Sequence, residues 1–419
     1  MTNGQDTWRA RYAETHTPGS EGGLGKRTGG NTGTAPGAYL TRGARFACPA
    51  KDCAHGGCPV HDAVEKTWRH LDFFQHKAFL HARLPRVRCP EHGVRQVSVP
   101  WARPGSGFTL LFEALVCSFA AAMPMAKVAA MTREHDTRIW RVVEHHVRAA
   151  RDQRDCTGVT RVGMDETSAA KGQDYISTFA DLDARRVVFA TEGRSAETVA
   201  RFAADLAGRG GDPAQVTDTS SDMTTAFISG IAVHLPNATM TFDRYHLAAK
   251  LREAVDAVRR DEVTTRPELT HTRWLWLNNH ANLSGAQRRE LHHLMRPSAQ
   301  RATARALRWL EDFQAFYDQD PSYAPEYLRR WCYGAKRSRL QPIKDFVGLV
   351  DKHWDGIITW HHNHLNSGLL EGINSLVQAA KARARGYRKT KMIIIVYLTA
   401  AKLQLPTLTS PTPAYMLSH

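Results

Sequence analysis

The chain has little that would carry it into a membrane or out of a cell. Its longest apolar run, residues 110–125, is too short to span a bilayer and is interrupted by Glu113. Nothing at the N-terminus has the basic, apolar and small-residue succession of a secretory signal. The membrane reading is weak, and a cytoplasmic protein is expected. Acidic residues are also short: 41 Asp and Glu stand against 56 Lys and Arg, a net charge of +15. That imbalance points to polyanionic partners, nucleic acid first. Cysteine is sparse and odd in number, seven in all, yet Cys48, Cys53, Cys58 and Cys89 fall within 42 positions. In a reducing compartment such clustering speaks for metal over disulfides. There is no internal repeat, no heptad and no conspicuous nucleophilic Ser or Tyr. What remains is ordinary globular material, 42% hydrophobic over 419 residues. It is enough for about two to four domains.

Residues 1–37, rich in Gly, Thr and Ser without apolar periodicity, read as a flexible tail. A Cys/His-rich, β-rich module follows over 38–101, ended by Pro100, Pro104, Gly105 and Gly107. Helical period then takes over in 106–155. Phe108, Leu111, Phe112, Leu115, Val116 and Phe119 share one face, a short helix fits 125–131, and 137–151 buries Ile139, Val142, Val143 and Val147. From 159 the pattern turns to strands at 161–166, 175–182 and 185–191, with Asp183-Ala184 as a hairpin turn. Next come a helix, a strand at 215–218, a helix from Met223, a strand at 239–242 and a helix carrying Leu247, Leu251, Val255 and Val258. Three strands followed by helix–strand alternation predict a mixed sheet. Residues 259–360 read as all-helical, with Trp274, Trp276, Trp309, Trp331, Trp354 and Trp360 among the apolar positions. A last strong helix spans 367–385.

Four constellations could carry chemistry. Cys48-x4-Cys53 and Cys89-x2-His92 are two short-range pairs, 35 residues apart, that would close around one structural Zn²⁺. Cys58 and His61 are rivals for a place in that site. In a helix-turn-helix the second helix enters the major groove, and 137–151 carries Arg138, Arg141, His145, His146 and Arg148 off its apolar face. Asp165, Asp222 and Glu371 form a set of separated carboxylates. If the strands bearing the first two are neighbours, their ends converge, and oxygen ligands suit Mg²⁺ or Mn²⁺. Glu371 shares a polar helix face with Asn374, Ser375 and Gln378, while Ile373, Leu376, Val377 and Ala380 cover the other side. Spacing alone does not single these acids out from 41. Last, Lys381, Arg383, Arg385, Arg388, Lys389 and Lys391 form a basic run that would neutralise phosphates.

Several strings identify a resemblance. RFACPAKDC, CPVHD, WRHLDFFQHKAFLHARLPRVRCPEHGV, MDETSAAKGQDY, SSDMTTAF, LPNATMTFDRYHLAAKLREAVDAVRR, SRLQPIKDF, LNSGLLEGINSLVQAAKARARGYR and YLTAAKLQLP run in order from Arg42 to Pro406. They resemble the DDE transposases of the ISL-three group of bacterial insertion sequences. The resemblance implies a multidomain α/β protein: an N-terminal zinc finger, a helix-turn-helix, and a ribonuclease H-like catalytic domain over 159–258 and 361–406. An all-helical insertion, 259–360, would interrupt that domain. It implies that Asp165, Asp222 and Glu371 are the DDE acids and hold the catalytic Mg²⁺ or Mn²⁺. Asp218 is the local rival of Asp222. Asp243 and His246 would lie near the same rim, as support for the site or as a cap and a packed histidine. The expected partners are the element's terminal inverted repeats and target DNA, engaged by at least a dimer, in a bacterial, nucleoid-associated setting. Residues 1–37 do not resemble the structured segment with which members of that group usually begin. A second reading is therefore a decayed transposase that only binds DNA, and a third is a structure-selective nuclease.

Overall fold

The computed structural model describes residues 45–412, except 51, 54, 170–174, 280–281, 297–300 and 366–367. The expected tail, 1–37, lies outside the described residues. The chain divides into two compact units, one within Met1–Ala150 together with the residues from Gln404, the other Arg151–Leu403.

In the first unit, β-branched and apolar alternation builds a four-stranded antiparallel sheet in chain order: β1 (Arg45–Phe46), β2 (Cys58–Arg69), β3 (Phe79–Cys89) and β4 (Gly93–Gln96). Trp68, Leu84 and Ala102 form one small core, with Trp101 edge-on to Trp68; Cys48, Cys58, Val87 and Cys89 form another at the opposite end. Three helices follow: α1 (Leu110–Ala122), α2 (Met125–Thr132) and α3 (Asp136–Asp152). Thr109 caps α1 by accepting from the Phe112 N–H, 3.3 Å away. The α2–α3 turn begins at Arg133, in the left-handed region with φ +55°.

Two expectations need correction here. Glu113, the residue that breaks the apolar run, is buried, and so is His146, expected on the solvated face of α3. They meet each other: the Glu113 carboxylate stands 2.7 Å from His146 Nε2 and accepts from Arg103 Nε (2.9 Å) and Ser106 Oγ (2.6 Å). The buried stripe of α1 runs through Phe112, Val116 and Ala120, leaving Leu111, Leu115 and Phe119 half-buried. Glu113 therefore faces inward with its neighbours, and its partners make that burial tolerable. Arg69 is buried as well, between the rings of Phe79 and Phe112 (5.6 and 5.1 Å) and paired with Asp72.

The second unit is built on a mixed five-stranded sheet in the order β7-β6-β5-β8-β9. Strands β5 (Arg161–Ser168), β6 (Tyr175–Asp181) and β7 (Arg186–Glu192) are antiparallel; β8 (Asp218–Ser221) and β9 (Thr239–Phe242) run parallel to β5. Helices α4 (Ala196–Gly208) and α5 (Thr225–His234) cover one face, burying Val199, Phe202, Leu206, Phe227 and Ile231 against Val162, Met164, Phe179 and Val188. The strand expected at 215–218 is displaced to β8. Residues Pro213–Gln215 instead form a 3-10 turn capped by Asp212, because Pro213 has no N–H for a ladder.

From α6 (Arg244–Val263) the chain is helical: α7 (Arg273–Leu277), α8 (Gly285–Leu294), α9 (Ala302–Gln314), α10 (Ala324–Lys336), α11 (Gln341–Lys352), α12 (Trp354–Ile358) and α13 (Trp360–Asn363). Their core holds Leu251, Val255, Trp276, Phe313, Phe316, Leu328, Trp331 and Phe346, and takes in Phe242 of β9. Trp274 departs from expectation: it is exposed, with Arg273 stacked 5.1 Å from its ring. Helices α14 (Gly368–Arg383) and α15 (Lys389–Ala400) close the unit. The Tyr397 hydroxyl of α15 accepts from the Ala190 N–H of β7 at 2.8 Å. No helix among the described residues is long and apolar enough to cross a membrane.

Candidate active site and metal centre

The parallel ladders align the acids. Gly163 pairs with Ser220, and Ser221 with Phe242. Carrying both registers forward brings Asp165, Asp222 and Asp243 level on three adjacent strand lines, about 4.8 Å apart from one to the next. Asp165 was expected at the end of its strand, but β5 continues to Ser168. It is the β8 ladder that stops short of Asp165, so the carboxylate lies beyond the parallel pairing. Asp218, the rival of Asp222, sits at the opposite end of β8, roughly 13 Å away along the strand. There it accepts from Asn363 Nδ2 at 3.0 Å, far from the row.

Helix α14 lies along β5. An added Cβ on Gly163 would lie 3.0 Å from Leu370, so the glycine is what lets the helix approach. One turn on, Asn374 Nδ2 donates to Asp165 Oδ2 at 2.6 Å; Gln378 donates to Thr167 Oγ1 at 2.7 Å; Lys381 donates to the Ser168 carbonyl at 2.8 Å. Glu371 is exposed and precedes Asn374 by three positions, on the same side of the helix. Leu376, expected to be covered, is exposed. Asp165 and Asp222 share one rim with α14 beside it, without closing: among the described residues, only ligand atoms of the first unit gather in groups of three or more within 4.8 Å.

Electrostatics mark the same rim. Burial pushes the Asp165 carboxyl up to about 6, with the charges of Asp222 and Asp243 adding to the rise; the Glu166 N–H and His246 oppose it. Glu166, which the sequence reading did not single out, is raised to about 7 by burial and by Asp222 and Asp165, against Arg194. Glu166 Oε1 and Asn374 Oδ1 are buried there without a hydrogen-bond partner. Asp222 Oδ1 accepts from the Thr224 N–H (3.1 Å) and hydroxyl (2.8 Å), which fixes its rotamer. Asp243 caps α6 by accepting from the Tyr245 and His246 N–H groups, and it lies 3.3 Å from His246 Nδ1. Crowded carboxylates with orphaned oxygens beside them fit a divalent cation held by hard oxygen ligands.

In the first unit, Cys48, Cys53, Cys89 and His92 bring one ligand atom each to within 4.8 Å of one another. Cys53 Sγ and Cys89 Sγ are 3.5 Å apart, and Cys89 Sγ lies 3.6 Å from His92 Nδ1. A zinc tetrahedron with bonds of about 2.3 Å has edges of about 3.8 Å, so the donor set fits that ion. Burial works to raise the Cys89 thiol, but the His92 N–H and side chain and the Glu91 N–H hold it down to about 6. Of the rivals, Cys58 is buried beside this group, whereas His61 Nδ1 faces Arg88, 3.1 Å away.

On α3, Arg141 and Arg148 are exposed, the latter paired with Glu144 at 2.6 Å. Arg138 is paired with Glu134 and lies 4.3 Å over the Phe108 ring. Arg383 at the end of α14, and Arg385 and Arg388 between α14 and α15, are exposed, and Gly386, with φ +109°, turns the chain.

Comparison with known proteins covers all three regions. Residues 162–396 match a transposase family of the ISL3 DDE group. Residues 97–147 match the helix-turn-helix domain of transposase family ISL3, and 45–92 the zinc-finger of transposase IS204/IS1001/IS1096/IS1165. The transposase for insertion sequence element IS1001 of Bordetella parapertussis is 27% identical over 342 residues, covering 78% of this chain and 82% of that one. The transposase for insertion sequence element IS1557 of Mycobacterium tuberculosis is 25% identical over 377 residues, covering 82% and 83%.

Proposed function

We propose that this chain, which belongs to the ISL3 family of transposases, is the DNA transposase of an insertion sequence: it binds the terminal inverted repeats, cuts there and joins the freed strand to target DNA. The observation that carries the reading is the level row of Asp165 and Asp222, with α14 hydrogen-bonded to Asp165 one turn after Glu371. An antiparallel β7-β6-β5 half, a parallel β8-β9 half and acids on β5, after β8 and on a late helix support a ribonuclease H-like fold. Residues 259–360, from the end of α6 through α12, are then the helical insertion between Asp222 and Glu371.

Asp165, Asp222 and Glu371 would hold Mg²⁺ or Mn²⁺. Such ions, when bound, supply Lewis-acid activation of the attacking oxygen and relief of charge on the leaving one. The chain's own residues prepare that site. Asn374 orients Asp165, Thr224 orients Asp222, and burial puts the Asp165 carboxylate in a setting that favours a cation beside it. Water attacks phosphorus and the 3′-oxygen leaves as a hydroxyl. That hydroxyl then attacks a target phosphodiester, one P–O bond forming as another breaks, with no covalent protein intermediate. Arg141 and Arg148 on α3, with Arg138 at its start, would meet the repeat, and Lys381, Arg383, Arg385 and Arg388 the phosphates at the scissile end. Zn²⁺ on Cys48, Cys53, Cys89 and His92 is structural. Two paired ends call for at least a dimer on DNA, acting in the cytoplasm at the nucleoid.

The test is Mg²⁺-dependent cleavage of DNA carrying the sequence that flanks the gene, by the parent chain and by Glu371→Gln. Cutting by the parent alone, with binding by both, is expected. Binding without cutting by both would leave a DNA-binding protein and overturn the catalytic reading.

A further inference from the structure

Between β2 and β3, residues 70–78 form a small hairpin whose tip nothing in the catalytic scheme uses. Phe73 and His76 exchange both backbone hydrogen bonds at 3.0 Å, so Phe74 and Gln75 make a two-residue turn. Phe74 occupies the first central position with φ +53°, where glycine is usual and a bulky side chain is strained. That strain earns no core contact, because Phe74 is 82% exposed and its neighbour Phe73 65%. The two rings lie edge to face, 4.7 Å between centroids. Side-by-side exposed phenylalanines in a protein of charge +15 form an apolar point on a cationic surface.

The tip is rigidly mounted. Asp72 pairs with buried Arg69 and with Arg133. Arg133 Nη1 donates to the Gln75 carbonyl at 2.8 Å, and Lys77 Nζ donates to the Arg133 carbonyl at 2.7 Å. Arg133 is the left-handed residue of the α2–α3 turn, three positions ahead of α3. In a helix-turn-helix the N-terminal residues of the second helix reach base edges. The tip is thus bolted to the end of the module expected to face the duplex, through Lys77 and Arg133.

We infer that Phe73 and Phe74 form a wedge that unstacks a base step of the element's end when α3 occupies the groove. The inference rests on the proposed function and adds a residue-level recognition device to it. Phenylalanine inserted at a base step unstacks and kinks the duplex, and an aromatic ring stacks on whichever base is exposed. A strained, rigid, solvated aromatic pair flanked by cations has the chemistry for that. It makes its contact only when DNA arrives.

The test uses the full chain and duplexes tiled through the DNA flanking the gene, each with a fluorescent purine analogue that brightens when unstacked. The parent should brighten the analogue at one step. Phe73→Ala with Phe74→Gly should abolish the brightening and weaken end binding about tenfold, the low end of what stacking on a base is worth. The salt dependence should be unchanged, because no charge is lost. The glycine relieves the backbone strain, so the unfolding midpoint should hold or rise, which separates a lost wedge from a lost fold. Equal brightening by parent and variant would overturn the inference alone. So would a loss of self-association in the variant with its DNA signals intact, which would assign the tip to a second copy. Absence of any preference for end DNA in the parent would overturn the proposed function and the wedge with it.

Discussion

Glu113 is a buried carboxylate and Asp165 a half-buried one, and their neighbours send them in opposite directions. Burial works to raise Glu113, but His146, Ser106 and Arg103 together hold it below the usual range. Removing one partner would strand the others, so Glu113→Ala should cost about 3–5 kcal/mol in urea unfolding of the first unit. Asp165 has no such cationic cage and is held up at about 6. Its proton stays on the folded chain after the unfolded chain has released it. Stability of the metal-free protein should therefore fall as pH rises from about 4 to about 6. Asp165→Asn should shrink that slope, leaving the part that Glu166 contributes up to about pH 7, and make the metal-free variant more stable at pH 8, by on the order of 1–2 kcal/mol, with the gap closing below pH 4. Urea melts across a pH series without divalent cations measure both. A variant that is less stable at every pH would show the carboxylate to be structural.

At the scale of elements, the approach of α14 to β5 decides whether Glu371 can serve the rim. Gly163 is the contact point, with Leu182 and Leu370 at 2.8 and 3.0 Å from where a Cβ would stand. Gly163→Ala should cost about 1–3 kcal/mol by overpacking, and should slow cleavage more than it weakens end binding. Leu370→Ala in the same chain should restore part of the cleavage rate, because it vacates the α14 side of the space the new methyl needs while Leu182 still crowds the other. Failure of that second change to recover cleavage would mean the helix is positioned by Asn374 and Gln378 instead.

The whole molecule is a division of labour between two units, and its charge belongs to both. A zinc chelator should lower the melting of the first unit and leave the second unchanged, since the cysteine–histidine group lies wholly in the first. One zinc per chain by elemental analysis, lost in Cys89→Ser, is the corresponding stoichiometry. The exposed Arg383, Arg385 and Arg388 belong to the second unit. Replacing all three with Ala should reduce the slope of log affinity against log salt by about 3 and weaken unrelated DNA as much as end DNA. A change confined to end DNA would make these residues readers of sequence instead.

Local order was legible in the chain itself. Helical period found α1, α2 and α3 to within about two residues, and alternation found β5, β6, β7 and β9, because those elements bury one face and the pattern repeats with the backbone. The pairs Cys48/Cys53 and Cys89/His92 were visible as spacing, since each pair is closed by a short local turn. Other features needed the fold. Strand β8 is made of Asp, Thr and Ser, and only its burial between β5 and β9 makes it a strand. Glu113 and His146 look solvated when read singly; each is inside because the other is there. The levelling of Asp165, Asp222 and Asp243, and the rise of Asp165 and Glu166, depend on the register of β8 against β9 and against β5, the latter more than fifty residues away in the chain. A linear pattern specifies what each segment hides, whereas the distance between two charges is set by how the segments pack, and that is decided only in three dimensions.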